Sequence, residues 1–163
     1  MHTVGTLAPN FSLIDETGTP RELAKQQGSW VVLYFYPKDD TPGCTAEACG
    51  IRDRYDQLVN RDVVVLGVSR DSVESHAAFK RKYDLPFPLL SDETGEVSAA
   101  YHAITPEQPS QHAARITYLI DPSGCIAKVY PKVSPADHAD ELLRDLECLQ
   151  RAAEVRPPQE RME

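Results

Sequence analysis

The sequence predicts an α/β domain built on a mixed β-sheet. Three observations carry that expectation. Trp30-Val31-Val32-Leu33-Tyr34-Phe35-Tyr36 and Val63-Val64-Val65-Leu66-Gly67-Val68-Ser69 are continuous β-branched and aromatic runs, the pattern of strands buried on both faces of a sheet. Segments with helical spacing follow each run, so strands and helices alternate. A hairpin and a terminal amphipathic helix then close the chain and add antiparallel strands.

Each element has its own signal. Residues 9–15 alternate apolar and polar and meet Glu16-Thr17-Gly18, which reads as a short strand and a turn. Arg21 to Gln27 reads as a single helical turn ending at Gly28. The first buried run stops at Pro37, which cannot donate to a ladder. Thr41-Pro42-Gly43 opens a helix expected from about Cys44 to Val59. After the second buried run, Asp71 and Glu74 form a capping box that starts a helix reaching about Tyr83. Phe87 to Ser91 reads as a short edge strand, and Gly95 to Ala103 as a short helix. The polar, proline-containing stretch from Thr105 to Ala114 reads as a surface loop. Ile116 to Ile120, the turn Asp121-Pro122-Ser123-Gly124, and Cys125 to Tyr130 make the hairpin. Ser134-Pro135 places an N-cap before a proline at the first helical position, and Leu142, Leu143, Leu146 and Leu149 keep one helix face apolar.

The chain has 163 residues, enough for one domain, read as 1–153 with a polar tail at 154–163. Its formal net charge of -8 argues against a general affinity for nucleic acid or an anionic membrane, since both need a basic surface. No apolar stretch approaches the roughly 20 residues of a membrane span. The first residues lack the basic and apolar regions of a secretory signal. Four cysteines are too few for a disulfide scaffold, so a cytoplasmic location with reduced thiols is expected. Cysteines close together in that setting point to redox or metal chemistry.

The informative segment runs from Pro37 to Cys49. It follows a buried strand and opens a helix, which places Cys44 in the first helical turn at the end of the sheet where open α/β folds put their sites. Unpaired amides and the positive end of the helix dipole favour thiolate over thiol there. Thr41, three residues earlier, brings a hydroxyl within reach of the sulfur, and Pro37 shields the site from water.

Pro37, Thr41 and Cys44 match the P-x-x-x-T-x-x-C signature, and the chain resembles the peroxiredoxin family. The string through Cys49 is similar to its bacterioferritin-comigratory or Q-type subfamily, whose second cysteine lies five residues after the first. Ala8-Pro9-Asn10-Phe11 resembles the family's opening strand, and Arg115 to Asp121 its R-x-T-x-L-I-D strand. The resemblance covers about residues 5–150. It implies a thioredoxin-like fold and reduction of hydrogen peroxide or organic hydroperoxides. It makes Cys44 the peroxidatic cysteine and Cys49 the resolving one. Thr41 and Arg115 would orient peroxide and stabilise charge, Pro37 would line the pocket, and Glu47 matches an acidic position of the subfamily's helix. Thioredoxin or a similar dithiol would restore the thiols, with no metal, haem or flavin. The subfamily resemblance favours a monomer, with a dimer open.

Helix geometry constrains that pairing. Five residues of unbroken helix put the two Cα atoms roughly 8–9 Å apart, on different faces. A disulfide needs them within roughly 7 Å. The helix is therefore expected to unwind after peroxide attack.

Other readings weigh less. Zinc needs paired ligand spacings, and His76, His102, His112 and His138 are scattered. A C-x-x-C oxidoreductase motif is absent. Cys125 and Cys148 read as packed residues. A peroxide sensor or interaction protein on the same fold is the alternative to an enzyme, and catalytic turnover separates the two.

Overall fold

The computed structural model describes residues 2–104 and 111–154. The expected mixed sheet has seven strands. They are β1 (Ser12–Asp15), β2 (Pro20–Glu22), β3 (Trp30–Phe35), β4 (Val63–Ser69), β5 (Leu89–Ser91), β6 (Ile116–Ile120) and β7 (Ile126–Tyr130), in the order β2-β1-β5-β4-β3-β6-β7. The pairs β3–β4 and β4–β5 are parallel, and the others are antiparallel. A 3₁₀ turn, Leu23–Gln26, follows β2. The helices are α1 (Pro42–Asp53), α2 (Tyr55–Asn60), α3 (Val73–Tyr83), α4 (Glu96–Ala100) and α5 (His138–Glu154). No helix among the described residues is long and apolar enough to cross a membrane.

The two-residue period of a strand sorts the core into two layers. Val32 and Tyr34, with Tyr36 just beyond the strand, face Cys44, Ala48 and Ile51 of α1, Phe79 of α3, and Leu142 and Leu146 of α5. Val31, Leu33 and Phe35 face the other way, onto Phe11, Leu23, Tyr101 and Ile104. Burial on both faces is why β3 has no polar positions.

Several expectations are corrected. The helix expected as one piece is two, broken at Arg54 (φ −111°, ψ 9°). The apolar period conceals the break, because Ala48, Ile51 and Leu58 all reach the same core. The helix also begins earlier, with Pro42 in its first turn, where a missing N–H costs nothing. Asp71 is not the cap of α3. Ser72 is, its Oγ accepting from the Ser75 amide at 3.1 Å, while Asp71 is drawn away to accept from the Asp39 amide.

β5 is not an edge strand. β1 folds back and pairs with it through Ile14–Ser91 and Asp15–Leu90. Pro88 lies just outside the strand, and its carbonyl accepts from the Gly67 amide. β2 had no legible signal, being three residues that include a proline and two charges. Ser134-Pro135 begins a turn, closed by the Asp137 amide on the Ser134 carbonyl, and α5 starts at His138. Of the predicted surface loop, residues 105–110 lie outside the described residues, as does the tail beyond Glu154. That residue ends α5 and does not begin the tail.

At the outer edge of β7, the Gly5 amide donates to the Ile126 carbonyl and the Ile126 amide to the Thr6 carbonyl. The Ala8 amide donates to the Gly124 carbonyl. The first described segment thus lies along that edge.

Leu146 is fully buried between α5 and the sheet layer that carries α1. Leu146→Ala is expected to lower unfolding free energy by roughly 2–5 kcal/mol, read as a shift of the urea midpoint with unchanged slope.

Candidate active site

The site lies where β3 ends. After Phe35 the chain passes Pro37, turns through Asp40 in a left-handed conformation (φ 58°), and enters Thr41 in an extended one. The Thr45 amide then closes the first helical bond, 2.8 Å from the Thr41 carbonyl. The amides of Gly43 and Cys44 precede it and have no carbonyl within the helix to meet. Cys44 sits among them at 1 % exposure.

Sheet register supplies the cation. Phe35 pairs with Ile116, so Arg115, the residue before β6, arrives beside the end of β3 and under the start of α1. Its Nη2 lies 3.4 Å from Cys44 Sγ, and its Nη1 donates to Glu47 Oε1 at 2.8 Å. Glu47 follows Cys44 by three residues and so shares its helix face. Gly43 leaves the space for this approach, since a Cβ there would stand 2.9 Å from Arg115 Nη2.

Two buried polar atoms in this pocket, Glu47 Oε2 and the Tyr34 hydroxyl, have no hydrogen-bond partner among the described residues. Burial pushes the Glu47 carboxyl up to about 7, against the opposing pull of the Arg115 guanidinium. Burial also pushes the Tyr34 phenol well above its ordinary value, and neighbouring Glu47 and Cys44 add to the shift. A thiol that faces a guanidinium and free helix amides is arranged to react as a nucleophile, with donors ready for a developing anion.

Cys44 and Arg115 are thus brought into contact as the sequence suggested. Thr41 stands at the helix start, but its hydroxyl donates to the Lys38 carbonyl at 2.9 Å and closes the turn. It neither caps the helix with its side chain nor bonds the sulfur in this state. Pro37 is half-buried at the end of the strand. Cys49 is a half-buried free thiol on the same unbroken helix as Cys44. Cys125 is half-buried. Cys148 is exposed, contrary to the packed position expected. Two residues beyond Leu146, it is rotated roughly 200° off the apolar face of α5.

Sequence reasoning noted Glu47 without its partner and gave Gly43 no role; only the fold reveals either. It also missed the cluster of Asp39, Asp71 and His76, whose ligand-type atoms lie within 4.8 Å of one another although Asp39 is more than thirty residues from the other two. Their polar atoms are engaged in hydrogen bonds with one another and with nearby hydroxyls.

Residues 4–129 match the model of the AhpC/TSA family. A putative peroxiredoxin bcp of Coxiella burnetii is 46% identical over 144 residues, covering 86% of this chain and 95% of that protein. The chloroplastic peroxiredoxin Q of Sedum lineare is 43% identical over 148 residues, covering 90% and 79%. Among solved structures, the bacterioferritin comigratory protein of Xanthomonas campestris, described for its alkyl peroxide reduction activity, superposes with a TM-score of 0.83. It is 33% identical, over 90% of this chain and 98% of that one.

The Glu47 carboxyl has a pH signature. Its value is about 7 with α1 docked and the ordinary 4.5 once released to solvent. A raised value means that the docked state keeps a proton the unwound state gives up. The stabilisation is therefore complete below pH 4.5 and lost as pH rises through about 7, on the order of 3 kcal/mol in all. Urea unfolding measured from pH 4.5 to 8 is expected to show this decline, and Glu47→Gln to flatten it. An equally steep decline in the variant would assign it to other groups.

Proposed function

Because this chain belongs to the AhpC/TSA family, among its bacterioferritin-comigratory and Q-type peroxiredoxins, it is a thiol-dependent peroxidase, and we propose that Cys44 attacks the peroxide and Cys49 resolves the product. The observation that carries the assignment is the contact of Arg115 Nη2 with Cys44 Sγ at a helix start. A cation beside the sulfur, at a helix start whose first amides lack helical partners, is placed to meet the charge that peroxide cleavage releases.

The steps follow. Cys44 thiolate attacks the distal oxygen of ROOH. The O–O bond breaks, the sulfur becomes a sulfenic acid, and RO⁻ leaves with its charge met by Arg115 and by the amides of Gly43 and Cys44. Protonation gives water or alcohol. α1 then unwinds from its first turn. The Cys49 thiolate attacks the sulfenic sulfur and expels hydroxide, which is protonated to water, and a Cys44–Cys49 disulfide remains. A dithiol donor exchanges with that disulfide and returns both thiols. Two features support the unwinding: both cysteines lie on one continuous helix, and Cys44 is almost fully buried within it.

Thr41 orients the peroxide once its hydroxyl turns from the Lys38 carbonyl, and Pro37 walls the pocket. The substrates are hydrogen peroxide and organic hydroperoxides. The alkyl peroxide activity described for the Xanthomonas campestris relative supports the second class. Thioredoxin is the donor in this reading, the protein acts as a monomer in the cytoplasm, and one domain (residues 1–153) carries the whole activity in antioxidant defence.

Peroxide-dependent oxidation of thioredoxin, kept reduced by its reductase, tests the assignment. Wild type should turn over, Cys44→Ser should be inactive, and Cys49→Ser should oxidise once and stall. A Cys44 that stays reduced after one equivalent of peroxide would sink both this reading and that of a peroxide sensor. Gly43→Ala is a separate test of the Arg115 contact. The added methyl displaces a flexible side-chain end, so thermal stability should barely move. The rate constant for Cys44 oxidation should drop by about 10- to 100-fold.

A further inference from the structure

Behind the site lies a buried polar cluster that the steps above do not use. Asp39, midway between Pro37 and Thr41, is 7 % exposed, and His76 of α3 is fully buried. His76 Nδ1 lies 2.7 Å from Asp39 Oδ2, and Nε2 lies 2.9 Å from the Leu90 carbonyl oxygen. The ring is thus held from both sides, by a carboxyl oxygen at one nitrogen and a backbone carbonyl at the other. The Tyr36 hydroxyl donates to Asp39 Oδ1 at 2.6 Å and the Ser75 hydroxyl to Oδ2 at 2.8 Å.

The backbone of the segment is held as well. The Asp39 amide donates to Asp71 Oδ2 at 2.8 Å, and Asp71 is itself fixed by the Ser69 hydroxyl at 2.6 Å. Asp40 accepts from Lys82 Nζ at 2.8 Å and from the Tyr83 hydroxyl at 2.9 Å. These bonds run to α3 and to the end of β4. α1 supplies none of them, so the segment's hold is separate from the helix that carries Cys44 and Cys49.

Resting on the peroxidase reading above, we propose that Asp39 and His76 are positioning residues. They pin residues 37–40 whether α1 is wound or unwound, and so hold the static half of the pocket in place for Cys44 to return to. The boundary between pinned and mobile chain then falls at Asp40, the residue in left-handed conformation just before the helix. The cluster has the polar crowding of a cation site, yet both Asp39 carboxyl oxygens and Asp71 Oδ2 already face hydroxyls, an amide or the imidazole. That arrangement suits a clamp.

Residue-resolved amide exchange of the wild-type chain tests the clamp directly, in the reduced state and after oxidation by peroxide. Diamide replaces peroxide if Cys44 does not react with it, which keeps failure of the clamp distinct from failure of the peroxidase reading. The Asp39 amide should be equally protected in both states, while amides from Cys44 to Gly50 lose protection on oxidation. Loss of Asp39 protection together with that of α1 would overturn the proposal.

Variants test positioning. Asp39→Ala should slow Cys44 oxidation by about 10- to 100-fold, as expected for a displaced reacting group. The unimolecular closure of the disulfide should be unchanged. Asp39→Asn should recover most of that rate, because its carboxamide can accept from Tyr36 and donate to a neutral His76 and to Ser75. Wild-type oxidation rates in folded Asp39→Ala, or no recovery in Asp39→Asn, would refute the role. Should Asp39→Ala fail to fold, His76→Gln takes its place with the same readout, and its wild-type rate would count equally against the proposal.

Discussion

An α-helix turns roughly 100° and rises 1.5 Å per residue, and that geometry rules this structure. Wound, α1 delivers the Cys44 sulfur to the helix's own free amides and to Arg115. The same winding holds Cys49 out of bonding range. A chain that uses both cysteines needs a helix stable enough to form the pocket and weak enough to leave it. The residues of α1 answer to both demands. Ala48 and Ile51 anchor it in the core, and Arg54 ties its far end to Asp140 of α5 at 2.9 Å. Against these stands Glu47, buried with one carboxylate oxygen unmatched.

Arg115 stands between a carboxyl and a thiol. It donates to Glu47 and faces Cys44, so its one positive charge is shared. Its guanidinium pulls the Glu47 carboxyl down. Burial wins instead and drives that carboxyl up to about 7. Near neutrality Glu47 is therefore protonated part of the time, and the guanidinium is then left to the sulfur. Helix stability and thiol electrostatics consequently meet in one ion pair.

Much of this was legible in the chain itself. The runs that became β3 and β4 could be read because strands buried on both faces admit almost nothing polar. The placement of Cys44 could be read because a buried strand, a proline and a helix start leave few alternatives. What escaped depended on contacts distant in sequence. Whether β5 was an edge rested on where β1 would fold. Asp71 had the form of a cap but was claimed by Asp39, over thirty residues away, and Ser72 took its place. Cys148 sat in a leucine-rich string, where composition hid its position on the outer side of α5. Thr41 was read as facing the sulfur, whereas a carbonyl three residues back took its proton.

The margins of the sheet carry a last consequence. On one side β2 is a three-residue strand with Pro20 and two charges. On the other, residues 5–8 already engage the backbone of 124–126. A growing β-aggregate recruits its next chain through a long, regular row of unpaired amides and carbonyls, and neither margin offers one. Templated polymerisation needs such a row, and here one margin is cut to three residues and the other is already engaged at 124–126.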